Sequence, residues 1–306
     1  MNVSELTLSE LRYRLNQAGI FLQTGSFVTH IQTSIPSVAE GIGLLYADYP
    51  LAVETGFADF HVSLAPPRNL RRWFKPQVLF LFDGDSTFKP LPYSQAFPML
   101  EWGLNWCVSG QANRYLIIHA AVVEKGGYAA ILPAPPGSGK STLCAALVNR
   151  GWRLLSDELT LIRISDGKIV PLPRPVSLKN QSIDIIQRYE PSAVISRKIS
   201  DTIKGTVAHM KAPTDSVARA AETVQAAWII FPKYQAGADA HLEALSQSRA
   251  FMRIADNAFN YSLLGTQGFE TMAGLIDVSL CYDFTYSVLD EAIDTFNALK
   301  PPASSM

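Results

Sequence analysis

Ala134-Pro135-Pro136-Gly137-Ser138-Gly139-Lys140-Ser141-Thr142 is a small residue, four arbitrary residues and then Gly-Lys-Ser, the spacing of a loop that cradles phosphates between a buried strand and a helix. Gly137 and Gly139 let the backbone turn its N–H groups toward phosphate oxygens, and the helix that follows adds its positive N-terminal end. Residues 136 to 142 then form a nucleotide cradle in which Lys140 reaches the β- and γ-phosphates and the Ser141 hydroxyl ligates Mg²⁺. The expected ligand is ATP with Mg²⁺. The usual first glycine of such loops is Ala134 here. The flanks agree with the motif. Tyr128 to Leu132 is a short apolar run bounded by Gly126-Gly127 and the prolines, as a buried strand should be. Leu143, Ala146 and Leu147 then recur at helical spacing, and Gly151 stands where a helix cap is expected.

The chain of 306 residues is 48% hydrophobic and 17% charged, which fits a globular protein of one large or two ordinary domains. A net charge of −1 argues against nonspecific nucleic-acid binding, because neutralising phosphates needs an excess of Lys and Arg. The basic run Arg68 to Lys75 reads as a solvated face. No apolar run approaches the roughly 18 residues of a membrane span, and the N-terminus lacks a basic-then-apolar signal pattern. A cytoplasmic protein without membrane contact is the expectation. Cys107, Cys144 and Cys281 are scattered and odd in number, so they read as reduced, buried thiols.

In chain order, Thr7-Leu-Ser-Glu10 has the spacing of a capping box ahead of a short helix. Ile20 to Thr33, Ala58 to Leu64 and Gln77 to Phe82 read as strands, with a turn at Asp83-Gly84-Asp85. Residues 1 to 90 are thus a β-rich N-terminal region, and 91 to 306 form the second unit. A helix is expected over Ser94 to Val108, followed by a strand from Leu116, a hairpin turn at Glu124 to Gly127, and the strand into the loop. Beyond the loop's helix, Arg153 to Ser156, Leu159 to Ile164, Lys168 to Leu172, Thr202 to Met210, Ala226 to Phe231, His241 to Leu245 and Cys281 to Tyr286 read as strands. Helices are expected over Ser248 to Asn260, Phe269 to Asp277 and, capped by Ser287, through Leu299.

Phosphoryl transfer needs a metal ligand and a group that positions or deprotonates the acceptor. Asp157 and Glu158 follow apolar Leu154-Leu155, at the carboxyl end of a strand where open α/β sheets bind ligands. A carboxylate there either holds the metal or accepts a proton. His119 lies in the strand before the loop, within an apolar run that also suits a core histidine. Lys204, His209 and Lys211 surround a glycine-containing segment and are candidate contacts to a transferring phosphoryl group, as is Arg174, held between two prolines.

The order His119-Ala-Ala-Val-Val, Gly137-Ser-Gly-Lys-Ser-Thr and Arg150-Gly-Trp-Arg-Leu-Leu-Ser-Asp-Glu158 resembles the catalytic domain of HPr kinase/phosphorylase. That family carries His-Gly, Gly-x-x-Gly-x-Gly-Lys-Ser and Leu-Val-Ala-Asp-Asp in the same order. The chain is more similar to the HPr kinase-related kinase A group of bacterial peptide-modification gene clusters. Their Lys-Gly-Thr-Val-Ala-His-Met and Phe-Asn-Tyr signatures match Lys204 to Met210 and Phe259 to Tyr261, and the similarity spans about residues 115 to 299.

The resemblance implies a P-loop kinase core of HPr kinase/PEP carboxykinase type, a mixed sheet flanked by helices, with the β-rich N-terminal region packed against it. It implies that Lys140 binds phosphates, that Ser141 holds the metal with Asp157 and Glu158 beside it, and that Asp157 takes the acceptor's proton while His119 orients it. The implied reaction moves the γ-phosphoryl group of ATP to a hydroxyl, of Ser or Thr in a small protein or ribosomal peptide, with a peptide-binding carrier protein as a further partner. A small-molecule hydroxyl and a non-catalytic, nucleotide-gated binding module are the alternatives. The related enzymes often form hexamers, so the resemblance admits a homo-oligomer. Two departures stand out. The second Asp of the family's pair is Glu158, and the family's downstream metal-binding Glu is replaced by Thr202, with Asp201 next to it.

Overall fold

The strand over Tyr115–Lys125 is apolar on both faces: Leu116, Ile118, Ala120 and Val122 join one buried cluster, and Ile117, Ala121 and Val123 join the other. A strand with that pattern needs cover on both sides. The computed structural model of the chain, which describes residues 1–52, 57–135 and 137–302, supplies it with helices on each face.

The N-terminal region forms a mixed sheet of β1 (Ile20–Thr24), β2 (Phe27–Thr33), β3 (Phe60–Ala65), β4 (Gln77–Phe82), β5 (Asp85–Ser86) and β6 (Leu91–Pro92). Helix α1 (Leu8–Asn16) begins at the expected capping box, where the Thr7 hydroxyl accepts from the Glu10 N–H and the Glu10 carboxylate accepts from the Thr7 N–H. Helix α2 (Pro36–Leu45) has no side-chain cap, and its sequence sign is Pro36 in the first turn. Helix α3 (Ala96–Gln111) packs on this sheet through Gly103, where an added Cβ would lie 2.1 Å from the Phe80 ring. The run from Arg68 to Lys75 is exposed, and so are Leu70, Trp73 and Phe74 within it.

The central sheet is built from the strand described above, β7, with β8 (Tyr128–Pro133), β9 (Arg153–Ser156), β10 (Leu159–Arg163) and β11 (Ile169–Val170). Between β8 and β9 runs α4 (Lys140–Val148), the helix that follows the glycine-rich loop. A small sheet of β12 (Val176–Lys179), β13 (Ile199–Thr202) and β14 (Gly205–Met210) follows, with α5 (Gln181–Tyr189) inserted and α6 (Thr214–Ala218) after it. The chain then returns to the central sheet as β15 (Gln225–Tyr234), β16 (His241–Ala244) and β17 (Leu280–Tyr286). The spatial order is β11-β10-β7-β8-β15-β17-β16, with β9 also on β7, and β8, β15 and β17 are parallel. Helices α7 (Gln247–Ala255), α8 (Tyr261–Leu264) and α9 (Thr266–Asp277) cover one face, while α4 and α10 (Leu289–Asn297) cover the other.

The result is a β-rich, mixed α/β architecture whose sheets are flanked by helices. One apolar cluster runs without a break from Val3 and Leu11 through Phe80 and Leu104 to Leu143 and Phe296, so the N-terminal region and one face of the central sheet share a core. The three cysteines are free and buried. Among the described residues no helix is long and apolar enough to cross a membrane.

Several local expectations are corrected. Thr202 to Met210 is a hairpin, because Gly205 at φ +82° breaks the strand. Ser287 does not cap α10; its hydroxyl donates to the Ala238 carbonyl, and Val288 takes the capping position. Of the expected strand Lys168 to Leu172, only Ile169–Val170 is strand.

Candidate functional site

The parallel strands β8, β15 and β17 end at one edge of the central sheet, and the phosphate loop leaves β8 there. Residues from the other two strand ends fasten it. The Tyr234 N–H donates to the Ser138 carbonyl at 2.9 Å, and the Tyr286 hydroxyl donates to the Gly139 carbonyl at 3.1 Å. Gly139, at φ +90°, is the residue before α4, and a Cβ there would lie 2.5 Å from the Tyr286 hydroxyl. Only glycine satisfies both the backbone and the contact. Gly137 is also left-handed, and a Cβ there would meet nothing within 4 Å, so this side of the loop is open for a ligand. Pro136 lies outside the described residues.

The loop borders a cleft of about 1230 Å³, larger than the roughly 300–1,000 Å³ of most small-ligand pockets. It has room for a nucleotide and a second molecule. Ala134, Gly137, Ser138, Gly139, Lys140, Ser141 and Thr142 of the loop line it, together with Asn105, His119, Glu158, Lys179, Lys204 and Phe259. The Lys140 ammonium is buried and donates to the Asp157 carbonyl at 3.1 Å, and among the described residues it forms no ion pair. An unpaired buried cation beside a row of loop amides fits an anion such as a triphosphate.

Asp157 and Glu158 occupy the break between β9 and β10, opposite Ala121 and Ala120 in the continuing register with β7. The break directs them to different tasks. Asp157 Oδ2 accepts from the Ser141 hydroxyl at 3.3 Å and from the Ser177 N–H at 3.0 Å. Its Oδ1 is buried with no hydrogen-bond partner among the described residues. Burial raises the Asp157 carboxyl above its ordinary range despite the nearby Lys140 charge. A hard cation held by Ser141, Asp157 and phosphate oxygens fits this donor set. Among the described residues no group of three or more His, Cys, Asp or Glu side chains is arranged to hold a metal alone.

Glu158 faces the cleft. Its Oε2 accepts from Asn105 Nδ2 at 2.7 Å, and its Oε1 lies 3.8 Å from Lys179 Nζ. Burial pushes this carboxyl upward, but the fields of Lys140, Lys179 and Lys204 together outweigh burial and leave it below the ordinary range. An ionised carboxylate at this place can receive a proton.

His119 is paired across the sheet with Leu159 and feels Lys140 first and Glu158 after it, and among the described residues no hydrogen bond joins its ring to Asp157, which it is expected to orient. Burial, then the Lys140 charge, pulls its ring down to about 4 and keeps it neutral. Lys204 lines the cleft as expected, its ammonium 5.0 Å from the Trp102 ring centroid. Two other expected phosphate contacts are committed elsewhere. The Arg174 guanidinium is buried and bound by Glu101, Tyr46 and Asn105. His209 is buried edge-on against Phe97 and borders only a separate cavity of about 20 Å³ beneath Asp157. Asp201 and Thr202 do not line the cleft, and Lys211 pairs with Asp48 at 2.8 Å. Asn105 and Lys179 escaped the sequence reading, since neither stands in a motif. A scan of protein-family models and a search of curated proteins return no match for this chain.

Proposed function

We propose that the protein is an ATP-dependent kinase of HPr kinase-like type, transferring the γ-phosphoryl group to a hydroxyl. The observation that carries this reading is that buried Lys140, which closes no ion pair within 4 Å among the described residues, lines one cleft with Glu158 and is the first of the charges that hold that carboxyl ionised. Bound Mg²⁺·ATP supplies the phosphoryl group and neutralises charge that develops on its oxygens. The chain's own residues do the rest. The loop backbone and Lys140 hold the phosphates, and Asp157 keeps the Ser141 hydroxyl turned to the metal side. Glu158 orients the acceptor hydroxyl and takes its proton, while Lys204 offers positive charge to the transferring group.

Dividing the two carboxylates in this way revises the role that the resemblance gives Asp157. One Asp157 oxygen is held by Ser141 and Ser177, and the side chain does not line the cleft, which supports a role on the loop side. The acceptor class we favour is a Ser or Thr of a small protein or ribosomal peptide, which the open, oversized cleft accommodates. The test is incubation of the full chain with γ-labelled ATP, Mg²⁺ and the small proteins and peptides encoded beside its gene. Label should move to a hydroxyl of one of them, and Glu158→Gln should slow the transfer about 10²- to 10⁴-fold. ATP binding without label reaching any acceptor or water would instead support a nucleotide-gated binding module.

A further inference from the structure

We infer that Asn105, on the helix joining the N-terminal sheet to the central one, is a positioning residue that fixes Glu158 for the reaction. This rests on the kinase reading above, with Glu158 as the carboxylate facing the acceptor. Arg174 has only donors, and its Nη1 lies 2.6 Å from Asn105 Oδ1. The amide orientation of Asn105 is therefore set, since reversal would bring NH₂ against the guanidinium and a carbonyl against a carboxylate. The opposite end, Nδ2, must donate to Glu158 Oε2, which it does at 2.7 Å.

Arg174 is itself held without freedom. Glu101 Oε2 accepts from Nη2 at 2.6 Å and the Glu101 carbonyl accepts at 3.1 Å, while Nε donates to the Tyr46 hydroxyl at 3.3 Å. Tyr46 in turn donates to Glu101 Oε1 at 2.7 Å, and Tyr49 donates to the carbonyl of Pro173, next to the arginine. A buried network of Tyr46, Glu101 and Arg174 thus ends in one amide, and that amide ends on Glu158. Oε2 is committed to Asn105, which leaves Oε1, with the looser Lys179 ammonium 3.8 Å away, to meet an acceptor. The N-terminal region, through Tyr46 and Tyr49 just after α2, helps to hold this network in place.

The experiment uses the full chain and two readouts. In an amide NMR spectrum, the Asn105 side-chain NH₂ pair, assigned by its loss in Asn105→Ala, should shift when Glu158 becomes Gln. In turnover, Asn105→Ala should lower kcat about 10²-fold, the order expected from misplacing a reacting group, with the KM for ATP within about twofold. On a Glu158→Gln background the same change should cause no further loss. Asn105→Asp, nearly isosteric, keeps the bond from Arg174 and removes the donor to Glu158, so it should lose kcat similarly while staying folded. An NH₂ pair indifferent to Glu158→Gln, or losses that multiply on that background, would overturn the inference. A pair that shifts while Glu158→Gln turns over normally would uphold the contact and sink the kinase role of Glu158.

Discussion

Arg174 Nη2 and Glu101 Oε2 meet at 2.6 Å, with neither side chain more than 8% exposed. The pair links the segment before β12 to helix α3. Taking two charges out of water is costly, and the partner left behind when one is removed has no water to turn to. Arg174→Ala or Glu101→Ala should therefore destabilise the fold by about 3–5 kcal/mol in urea unfolding. Replacing both with apolar residues of similar volume should recover much of that loss. Arg174→Lys should not, since one ammonium does not reach Glu101, Tyr46 and Asn105 together.

Lys140→Ala removes the buried cation of the glycine-rich loop and should weaken Mg²⁺·ATP binding about 10- to 100-fold, the worth of a charged hydrogen bond. Calorimetric titration measures it. Tight binding that survives the change would put the nucleotide elsewhere.

Asp157→Asn and Glu158→Gln should separate. The first loosens the Ser141 side of the cradle and should weaken ATP binding in the presence of Mg²⁺. The second should leave ATP affinity nearly unchanged and lower turnover about 10²- to 10⁴-fold, the range of a general base. Parallel binding and turnover assays decide between this division and its reverse, in which Asp157 is the base.

His119 should not titrate between pH 5 and 8. Its ring is lowered to about 4, first by burial and then by Lys140, against about 6.5 in an unfolded chain. As pH falls below about 6.5 the unfolded state takes up a proton that the folded state refuses, so this contribution to stability is full above that pH and is lost down toward 4. Imidazole NMR gives the midpoint, and His119→Gln should flatten that part of the stability profile.

Gly139→Ala should close the cradle, because its Cβ would lie 2.5 Å from the Tyr286 hydroxyl and 3.0 Å from Tyr234 Cβ in a left-handed backbone. We expect loss of ATP binding together with about 1–3 kcal/mol of stability. Normal binding by this variant would mean that the loop does not keep this shape when loaded.

The strand–loop–helix unit was legible because its signals are local: an apolar run, glycines at left-handed positions and a helix at 3.6-residue spacing. The same holds for the capping box at Thr7 and for the strand Gln77–Phe82. The cleft was legible in the loop and at His119, Glu158 and Lys204, and elsewhere it was not. Asn105, Lys179 and Tyr286 reach it from three separate elements, and no spacing marks them. Arg174 misled for a related reason: between two prolines an arginine looks presented to solvent, and only the fold brings Glu101 and Tyr46 around it. Helix α2 left no sign beyond Pro36, since its two glycines weaken the helical pattern.

Tyr286, which secures Gly139, closes the last strand of the central sheet, 147 residues further along the chain. During synthesis the phosphate loop emerges long before the strand that shapes it. The loop is therefore fastened late in folding, only after β17 has docked beside β15. Ligand that binds the finished cradle pulls this last step forward by mass action. Weakened substitutions in β17 or α10 should then be rescued by excess nucleotide, even though those elements stand far from the loop in sequence.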